Sequence, residues 1–111
     1  MNMVLHITTK GEWAAAQASG EYRAASLASE GFIHCSSPYQ AVGSATRHFA
    51  GHDELFLLAI DTTRLKAMLV HEPARSGEIF AHIYGPLNLD AVTKAMPIRR
   101  GADGTFRMPE F

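Results

Sequence analysis

The sequence predicts an α+β fold with small mixed or antiparallel β-sheets and two to three short helices. Short apolar runs of strand length alternate with turn residues, and only a few segments have helical spacing. The chain has 111 residues. A chain of this length buries roughly two-thirds of the surface that its unfolded form exposes, which is enough for one core. We therefore expect residues 1–111 to form a single domain.

The first half of the chain is predicted to alternate strands and helices. The clearest helix start is Ser37-Pro38-Tyr39-Gln40, because serine caps, proline suits the first helical position and glutamine can bond back to the cap. Apolar residues at helical spacing extend this helix to Gly51. The other elements expected here are a strand over 3–7, a helix over 12–19 ending at Gly20, one helical turn over 26–31 and a strand over 32–35.

The second half is predicted to consist mainly of strands. Residues 54–60 (ELFLLAI) are almost continuously apolar, which is typical of a buried central strand. Asp61 is expected to cap one turn, and Asn88 to cap a helix over 89–95. The other expected elements are strands over 68–72 and 79–84, a turn over 73–77 between them, and a terminal hairpin of 98–100 with 105–107.

Composition excludes several classes of protein. Ten basic and eleven acidic residues give a net charge of −1, which disfavours binding to bulk nucleic acid. No stretch approaches the roughly 20 apolar residues that cross a bilayer, and the N-terminus lacks the basic region of a signal peptide. The expected location is therefore the cytoplasm, without membrane binding. The single cysteine, Cys35, excludes an internal disulfide and a zinc site built from cysteine pairs.

Three of the six histidines lie in apolar strands and are the candidate functional ones. His6, His34 and His82 each need a hydrogen-bond partner or a polar cavity there. The alternative is that each ring donates to a backbone carbonyl in the core. His48 and His52 have the four-residue spacing of zinc ligands on a helix, but Gly51 lies between them and no HExxH pattern is present. A solvated helix end is therefore favoured for that pair.

Hydroxyl, carboxylate and thiol groups add further candidates. Ser36 and Ser37 precede a predicted helix whose free N–H groups could bind a carboxylate or phosphate, with ordinary capping as the alternative. Glu72 and Glu78 flank a turn, and a partly buried glutamate there could act as a general base. Cys35 follows His34, but neighbouring strand residues point to opposite faces, which argues against a shared proton and a cysteine nucleophile.

Three motifs in order carry a resemblance to a known family: His6-Ile7-Thr8, EGFIHCS at residues 30–36 and FAHIYGPL at residues 80–87. This arrangement resembles the bacterial family of unknown function numbered 952, over almost the whole chain. Ala81 departs from the family pattern, which has proline before the histidine. The family is grouped by resemblance with the ADP-ribosyltransferase fold, so an ADP-ribosyltransferase-like fold is implied.

The resemblance also implies a ligand and roles for its motifs. In that fold a strand-borne histidine, a hydroxyl-bearing second strand and a late glutamate surround the nicotinamide end of NAD. NAD is therefore the implied cofactor or substrate, and a small nucleotide-like molecule is the implied partner. The implied catalytic residues are His6, His34, His82 and Glu78, and the implied nucleotide-binding residues are His6, Thr8, Ser36, Ser37, Tyr39 and Tyr84.

The leading hypothesis is an ADP-ribosyltransferase-like enzyme, or a degenerate descendant, that acts on NAD or an ADP-ribose-like nucleotide. A histidine in place of the catalytic carboxylate would stabilise an oxocarbenium-like transition state poorly, because a protonated ring repels the developing cation. A non-catalytic nucleotide-binding or small-ligand-binding module is the alternative. A metal-dependent enzyme would need the three strand histidines within about 4 Å of one point. Histidines that only fill the core are the remaining interpretation.

Overall fold

The computed structural model describes residues 2–109 and shows an α+β arrangement of antiparallel sheets with three α-helices in that part of the chain. One-turn 3₁₀ helices cover Thr62–Arg64 and Leu89–Ala91. The strands and α-helices, in chain order, are β1 Met3–Thr8, α1 Lys10–Ser19, β2 Glu21–Tyr22, α2 Ala25–Ser29, β3 Ile33–Cys35, α3 Ala41–His48, β4 Glu54–Asp61, β5 Met68–Pro73, β6 Ile79–Tyr84, β7 Leu87–Asn88 and β8 Val92–Arg99.

The strands form two three-stranded sheets and a two-stranded ribbon. The first sheet has the order β1-β4-β8, the second has the order β3-β6-β5, and β2 pairs with β7. All of these pairings are antiparallel. A bridge between Leu5 and Ser36 joins the first sheet to the chain just after β3. This bridge brings β1 and β3, and therefore two of the candidate histidines, close together.

Strands β1 and β4 of the first sheet are buried on both faces, which explains the continuous apolar run of β4. One face of β4, with Leu58 and Ile60, packs against the inner face of the second sheet, α1 and the β2–β7 ribbon. The other face, with Leu55 and Leu57, packs against α3 and Phe106. A strand covered on both sides has no need for the polar alternation of a half-exposed strand. The second sheet has only one buried face.

Several expectations are confirmed by these elements. α1 ends at Gly20, whose φ of 92° is the left-handed conformation that glycine adopts without strain. Thr9 and Glu12 form a reciprocal capping box that starts this helix two residues earlier than predicted. Asp61 caps its predicted turn by accepting from the N–H of Thr63 at 2.9 Å. Strand β6 has the predicted bounds.

Two predicted helix starts are wrong. The segment 89–95 makes one 3₁₀ turn and then enters β8, because the second edge of β4 pairs with residues 92–99 over seven residue pairs. The third helix begins at Ala41, and Ser37 is not its cap. The Ser37 N–H does donate to Oε1 of Gln40 at 2.9 Å, but the Ser37 hydroxyl has no hydrogen-bond partner among the described residues. Half of the predicted capping box is therefore present, around a turn that precedes the helix.

The predicted terminal hairpin is present only as one bridge. Ile98 belongs to β8, and the segments meet through the pair Arg100 and Phe106. The turn between them is closed by the N–H of Gly101, which donates to the carbonyl of Thr105 at 2.7 Å. None of the helices between residues 2 and 109 combines the length and the apolar character that crossing a bilayer requires.

Candidate functional site

The outer face of the second sheet carries a cluster of aromatic and titratable side chains, which we call the histidine face. Its members are Phe32, His34, Glu72, His82 and Tyr84. His34 lies directly opposite His82 on β3 and β6, and their ring centroids are 5.3 Å apart. Phe32 stacks on His82 at 4.0 Å and lies 5.3 Å from Tyr84. Two of the three candidate histidines therefore lie side by side.

Glu72 organises one half of the histidine face. Its carboxylate accepts from Nδ1 of His82 at 2.7 Å and from the Tyr84 hydroxyl. These hydrogen bonds, that of Tyr84 first, lower the pKa of Glu72, and the same contact raises the pKa of Tyr84. Because a carboxylate only accepts, the neutral His82 ring carries its proton on Nδ1 and its lone pair on Nε2. This is the tautomer of a general base supported by a carboxylate.

A second imidazole–carboxylate pair lies beside the first. Nε2 of His34 is 2.9 Å from Oε2 of Glu30, and the His34 side chain is 54% exposed. The His82 side chain is only 12% exposed, because Phe32 covers one of its ring faces. The two rings thus differ in solvation although both have a carboxylate partner. Two neighbouring imidazole rings can act together, one accepting a proton from a ligand and the other donating one. The His82 ring is the one that is better shielded from water.

The third histidine lies between the sheets and takes no part in the histidine face. His6 Nδ1 is 2.5 Å from the backbone oxygen of His34, and Nε2 is 2.7 Å from the Tyr22 hydroxyl. The Tyr22 hydroxyl is in turn 2.9 Å from that of Thr8, which lies 3.2 Å from the Glu12 carboxylate. Burial lowers the pKa of His6 from 6.5 to about 4 and raises the pKa of Tyr22. His6 is therefore neutral at pH 7.

Neutrality of His6 fixes the direction of this buried hydrogen-bond chain. The carbonyl of His34 can only accept, so Nδ1 donates and Nε2 accepts the proton of Tyr22. Tyr22 then accepts from Thr8, and the Glu12 carboxylate is left with its contacts to Thr9. Both ring nitrogens of His6 are consequently used inside the protein. His6 holds β3 in place through its backbone, and Thr8 is likewise buried.

Four other predicted site residues do not reach the histidine face. Ser36 is buried, and its hydroxyl lies 3.0 Å from that of Ser44. Ser37 contacts Gln40 at the turn before α3, and Tyr39 is 88% exposed. Glu78 is at the start of β6 and accepts from Nε2 of Gln40 at 3.0 Å. Glu78 is four residues before His82, which is about 13 Å at ~3.3 Å per strand residue. Glu78, the carboxylate that the resemblance implied as catalytic, is thus remote from His82. Glu72, the other candidate carboxylate, contacts His82 directly.

Comparison with known proteins assigns the chain to a family. The profile described as "Protein of unknown function (DUF952)" matches residues 7–95, which include every member of the histidine face. The chain belongs to the DUF952 family. No curated protein matches the sequence.

This DUF952 chain is similar over nearly its whole length to a solved bacterial protein, CC0527 from Caulobacter crescentus. The crystal structure of CC0527 shares 35% identity, with a TM-score of 0.86, and the match covers 95% of this chain and 93% of that one. The solution NMR structure of CC0527 shares 34% identity, with a TM-score of 0.76, and covers 95% of this chain and 91% of that one. The two-sheet fold is therefore shared with this relative.

The geometry does not support a three-histidine metal site in this DUF952 protein. No group of three or more His, Cys, Asp or Glu side chains within the described range, 2–109, is arranged to hold a metal ion. His6 uses both ring nitrogens, and its ring lies beneath the backbone of His34 rather than beside the other two rings. A histidine that donates and accepts inside the core has no lone pair left for a metal.

Cys35 lies on the inner face of the second sheet, opposite to the side chain of His34, as the strand alternation predicts. Burial raises the pKa of the Cys35 thiol from 9.0 to about 12. At pH 8 we therefore expect iodoacetamide to label the native protein about a thousandfold more slowly than the unfolded chain. Mass spectrometry of labelling with and without 6 M guanidinium measures this ratio. Native labelling at the unfolded rate would contradict the burial of this thiol.

Sequence reasoning missed Tyr22, Phe32 and Glu30 as contacts of the histidines. Phe32 could have been found, because it lies two residues before His34 and alternation places both on one strand face. Glu30 precedes the strand, and Tyr22 belongs to a two-residue strand that pairs with β7. Nothing in their local sequence indicates a histidine partner. Their roles follow from the way the sheets meet.

Proposed function

We propose that this protein binds NAD or an ADP-ribose-like nucleotide at the histidine face, in an ADP-ribosyltransferase-like arrangement. Glu72 and His82 then act on the ligand as a carboxylate-supported general base. The observation that carries this proposal is the Glu72 carboxylate, which holds His82 and Tyr84 at the same time. The ring of Phe32 stacks on the same histidine. One anionic group, one base and two aromatic rings thus meet on one side of one sheet.

The chemistry of this cluster suits the nicotinamide end of NAD. A planar ring can stack against Phe32 or Tyr84, whose rings are inclined by 48°. A cationic ring, such as the nicotinamide of NAD, is attracted by the Glu72 carboxylate. The hydrogen bonds that lower the pKa of Glu72 keep this carboxylate ionised. The histidine face therefore offers a cationic ring both an aromatic stacking surface and a negative charge.

In the proposed reaction, Nε2 of His82 accepts a proton from an attacking hydroxyl or water. The bond between the ribose and nicotinamide breaks, and nicotinamide leaves with the bonding electron pair. The oxocarbenium-like centre develops next to the Glu72 carboxylate, which stabilises its positive charge. Glu72 thereby takes the role that the resemblance implied for Glu78, and its carboxylate also balances the charge that His82 gains with the proton. His6 acts only by holding the backbone of His34.

A non-catalytic binding module is the second candidate, and the openness of the site favours it. The His34 side chain is 54% exposed and the Tyr84 residue is 40% exposed. Cleavage of a glycosidic bond benefits from a site that excludes water. The same aromatic and carboxylate groups would then hydrogen-bond and stack with the ligand without turnover.

Binding and turnover can be separated in one experiment. The amide and histidine-ring NMR signals are followed during titration with NAD and ADP-ribose, and released nicotinamide is then assayed. We expect saturable shifts at His34, His82 and Tyr84. For an enzyme, Glu72→Gln should lower nicotinamide release about a hundredfold, the usual contribution of general acid–base catalysis. Glu78→Gln is the matched control and should keep release within about twofold.

Each other outcome has a definite meaning. Shifts without nicotinamide release establish the binding module in place of the enzyme. Loss of release in Glu78→Gln alone would return the catalytic role to Glu78. Unshifted spectra at millimolar NAD and ADP-ribose would overturn the proposed ligand.

A further inference from the structure

A surface groove adjoins the histidine face at Tyr84. Its volume is about 470 Å³, and Tyr84 lines it while also donating to Glu72. Lys66 also lines it and lies two residues before Met68, the strand partner of Tyr84. Glu21, Ala67, Gly85 and Asn88 also line it. A ligand that stacks on the histidine face can therefore continue past Tyr84 into this groove.

The wall that carries Lys66 is held firmly. The Asn88 side chain accepts from the Lys66 N–H at 3.0 Å and donates to the Arg64 carbonyl at 2.9 Å. A Cβ at Gly85 would lie 2.9 Å from the Ala67 methyl carbon, so these two lining residues pack closely together. These contacts fix the backbone from which the lysine extends. Lys66 itself is exposed, so its ammonium group extends into solvent from this fixed backbone.

The histidine face and the groove differ in charge, because only the groove is lined by a lysine. Two carboxylates repel phosphate groups on this side: Glu72 within the histidine face and Glu30, the partner of His34, beside it. In the groove, the Glu21 carboxylate is 3.5 Å from Arg23, so its charge is balanced in part. No carboxylate of the described residues lies within ion-pair distance of the Lys66 ammonium. Lys66 is the one cation among the residues that line this groove, and its nearby charge helps to lower the pKa of Asp90 without forming an ion pair with that carboxylate.

We propose that this groove is the subsite for the phosphate of the bound nucleotide, with Lys66 as its counter-charge. The inference rests on the proposed function and gives the bound ligand one orientation. The cationic or neutral ring lies against Phe32 and Glu72, and the anionic arm crosses Tyr84 to reach Lys66. A ligand with a cationic ring and a phosphate matches the histidine face and the groove together, whereas a nucleoside without phosphate uses only the first.

The test compares two ligands that differ by one phosphate, nicotinamide mononucleotide and nicotinamide riboside. Their dissociation constants are measured by NMR titration on the wild type, on Lys66→Met and on Lys94→Met. Lys94 is the matched control because it is an exposed lysine on β8 of the other sheet. We expect the phosphate to tighten binding about fivefold in the wild type and in Lys94→Met, and not at all in Lys66→Met. The amides of Lys66 and Ala67 should shift with the mononucleotide and not with the riboside.

The outcomes distinguish failure of the subsite from failure of the proposed function. Equal affinity of the wild type for both ligands, or an unchanged phosphate preference in Lys66→Met, overturns the subsite and leaves ring binding at the histidine face intact. If neither ligand shifts the wild-type spectrum at millimolar concentration, both proposals fall. Higher salt should weaken the phosphate preference of the wild type, since this ion pair is exposed to solvent.

Discussion

Lowering the pH from 7 to 4 is expected to remove about 3 kcal/mol of unfolding free energy through His6 alone. Burial lowers the pKa of His6 to about 4 in the folded state, against the ordinary histidine value of 6.5. Each unit of difference corresponds to about 1.4 kcal/mol. Between these two values the unfolded chain binds a proton that the folded protein does not. The stabilisation is therefore complete above pH 6.5 and is lost as the pH falls towards 4.

Urea unfolding at pH 7.5, 6, 5 and 4 measures this effect in the wild type and in His6→Gln. The variant should be less stable at pH 7 by about 1–3 kcal/mol, because the Tyr22 hydroxyl and the His34 carbonyl lose a partner. Its stability should nevertheless fall by about 3 kcal/mol less than that of the wild type between pH 7 and pH 4. His48→Gln, at an exposed position in the last turn of α3, should keep the wild-type pH profile. Parallel pH profiles of the wild type and His6→Gln would show that His6 is not the group responsible.

Replacing Arg100 with methionine is expected to cost about 3 kcal/mol of stability. The Arg100 guanidinium donates to the carbonyls of Phe49, Ala50 and His52 after α3, at 2.8–3.2 Å. It also donates to the carbonyl of Gly104 at 2.5 Å and lies 4.5 Å from the centroid of the Phe106 ring. The Arg100 guanidinium thus provides hydrogen-bond donors for the free carbonyls after α3 and links the turn at Gly104 to them. The partial negative charge at the C-terminal end of a helix favours a cation at this position.

Thermal unfolding of Arg100→Met and Arg99→Met tests this prediction with a neighbouring control. The Arg99 side chain is 79% exposed and has a single ion pair with Glu54 at 2.7 Å. Exposed pairs contribute less than about 1 kcal/mol, so Arg99→Met should lower the melting temperature by only a few degrees. Arg100→Met should lower it by roughly 10–15 °C for a domain of this size. Equal losses in the two variants would mean that the carbonyl contacts of Arg100 contribute little.

Local sequence was sufficient where one segment determines its own structure. Gly20 ends α1 because the left-handed backbone there suits glycine, and Asp61 caps its turn through its own neighbour, Thr63. The strand β6 is bounded by a turn on one side and Gly85-Pro86 on the other. Each of these signals acts over a few residues. Such signals also placed His34 and Cys35 on opposite faces of one strand.

Local sequence was insufficient where a partner strand made the decision. Residues 89–95 were predicted to form a helix capped by Asn88, but residues 92–99 pair with the free edge of β4 and form β8. The Ser37 signal likewise describes a real turn, while packing of Ala41 and Ala45 against the first sheet defines the helix itself. Tertiary pairing and burial outweigh a propensity of a few tenths of a kcal/mol per residue.

The sequence by itself determined the α+β class, the motifs of the DUF952 family, and the presence of histidines in apolar strands. Tertiary structure alone decided which side chains those histidines meet. The register of β5 against β6 brings Glu72 to His82 and Tyr84 and leaves Glu78 with Gln40. The packing of β1 against β3 buries His6, whose ring hydrogen-bonds to the Tyr22 hydroxyl and to the backbone carbonyl of His34. Register and packing depend on contacts between residues far apart in the chain, and hydrophobic periodicity within one segment carries no information about them.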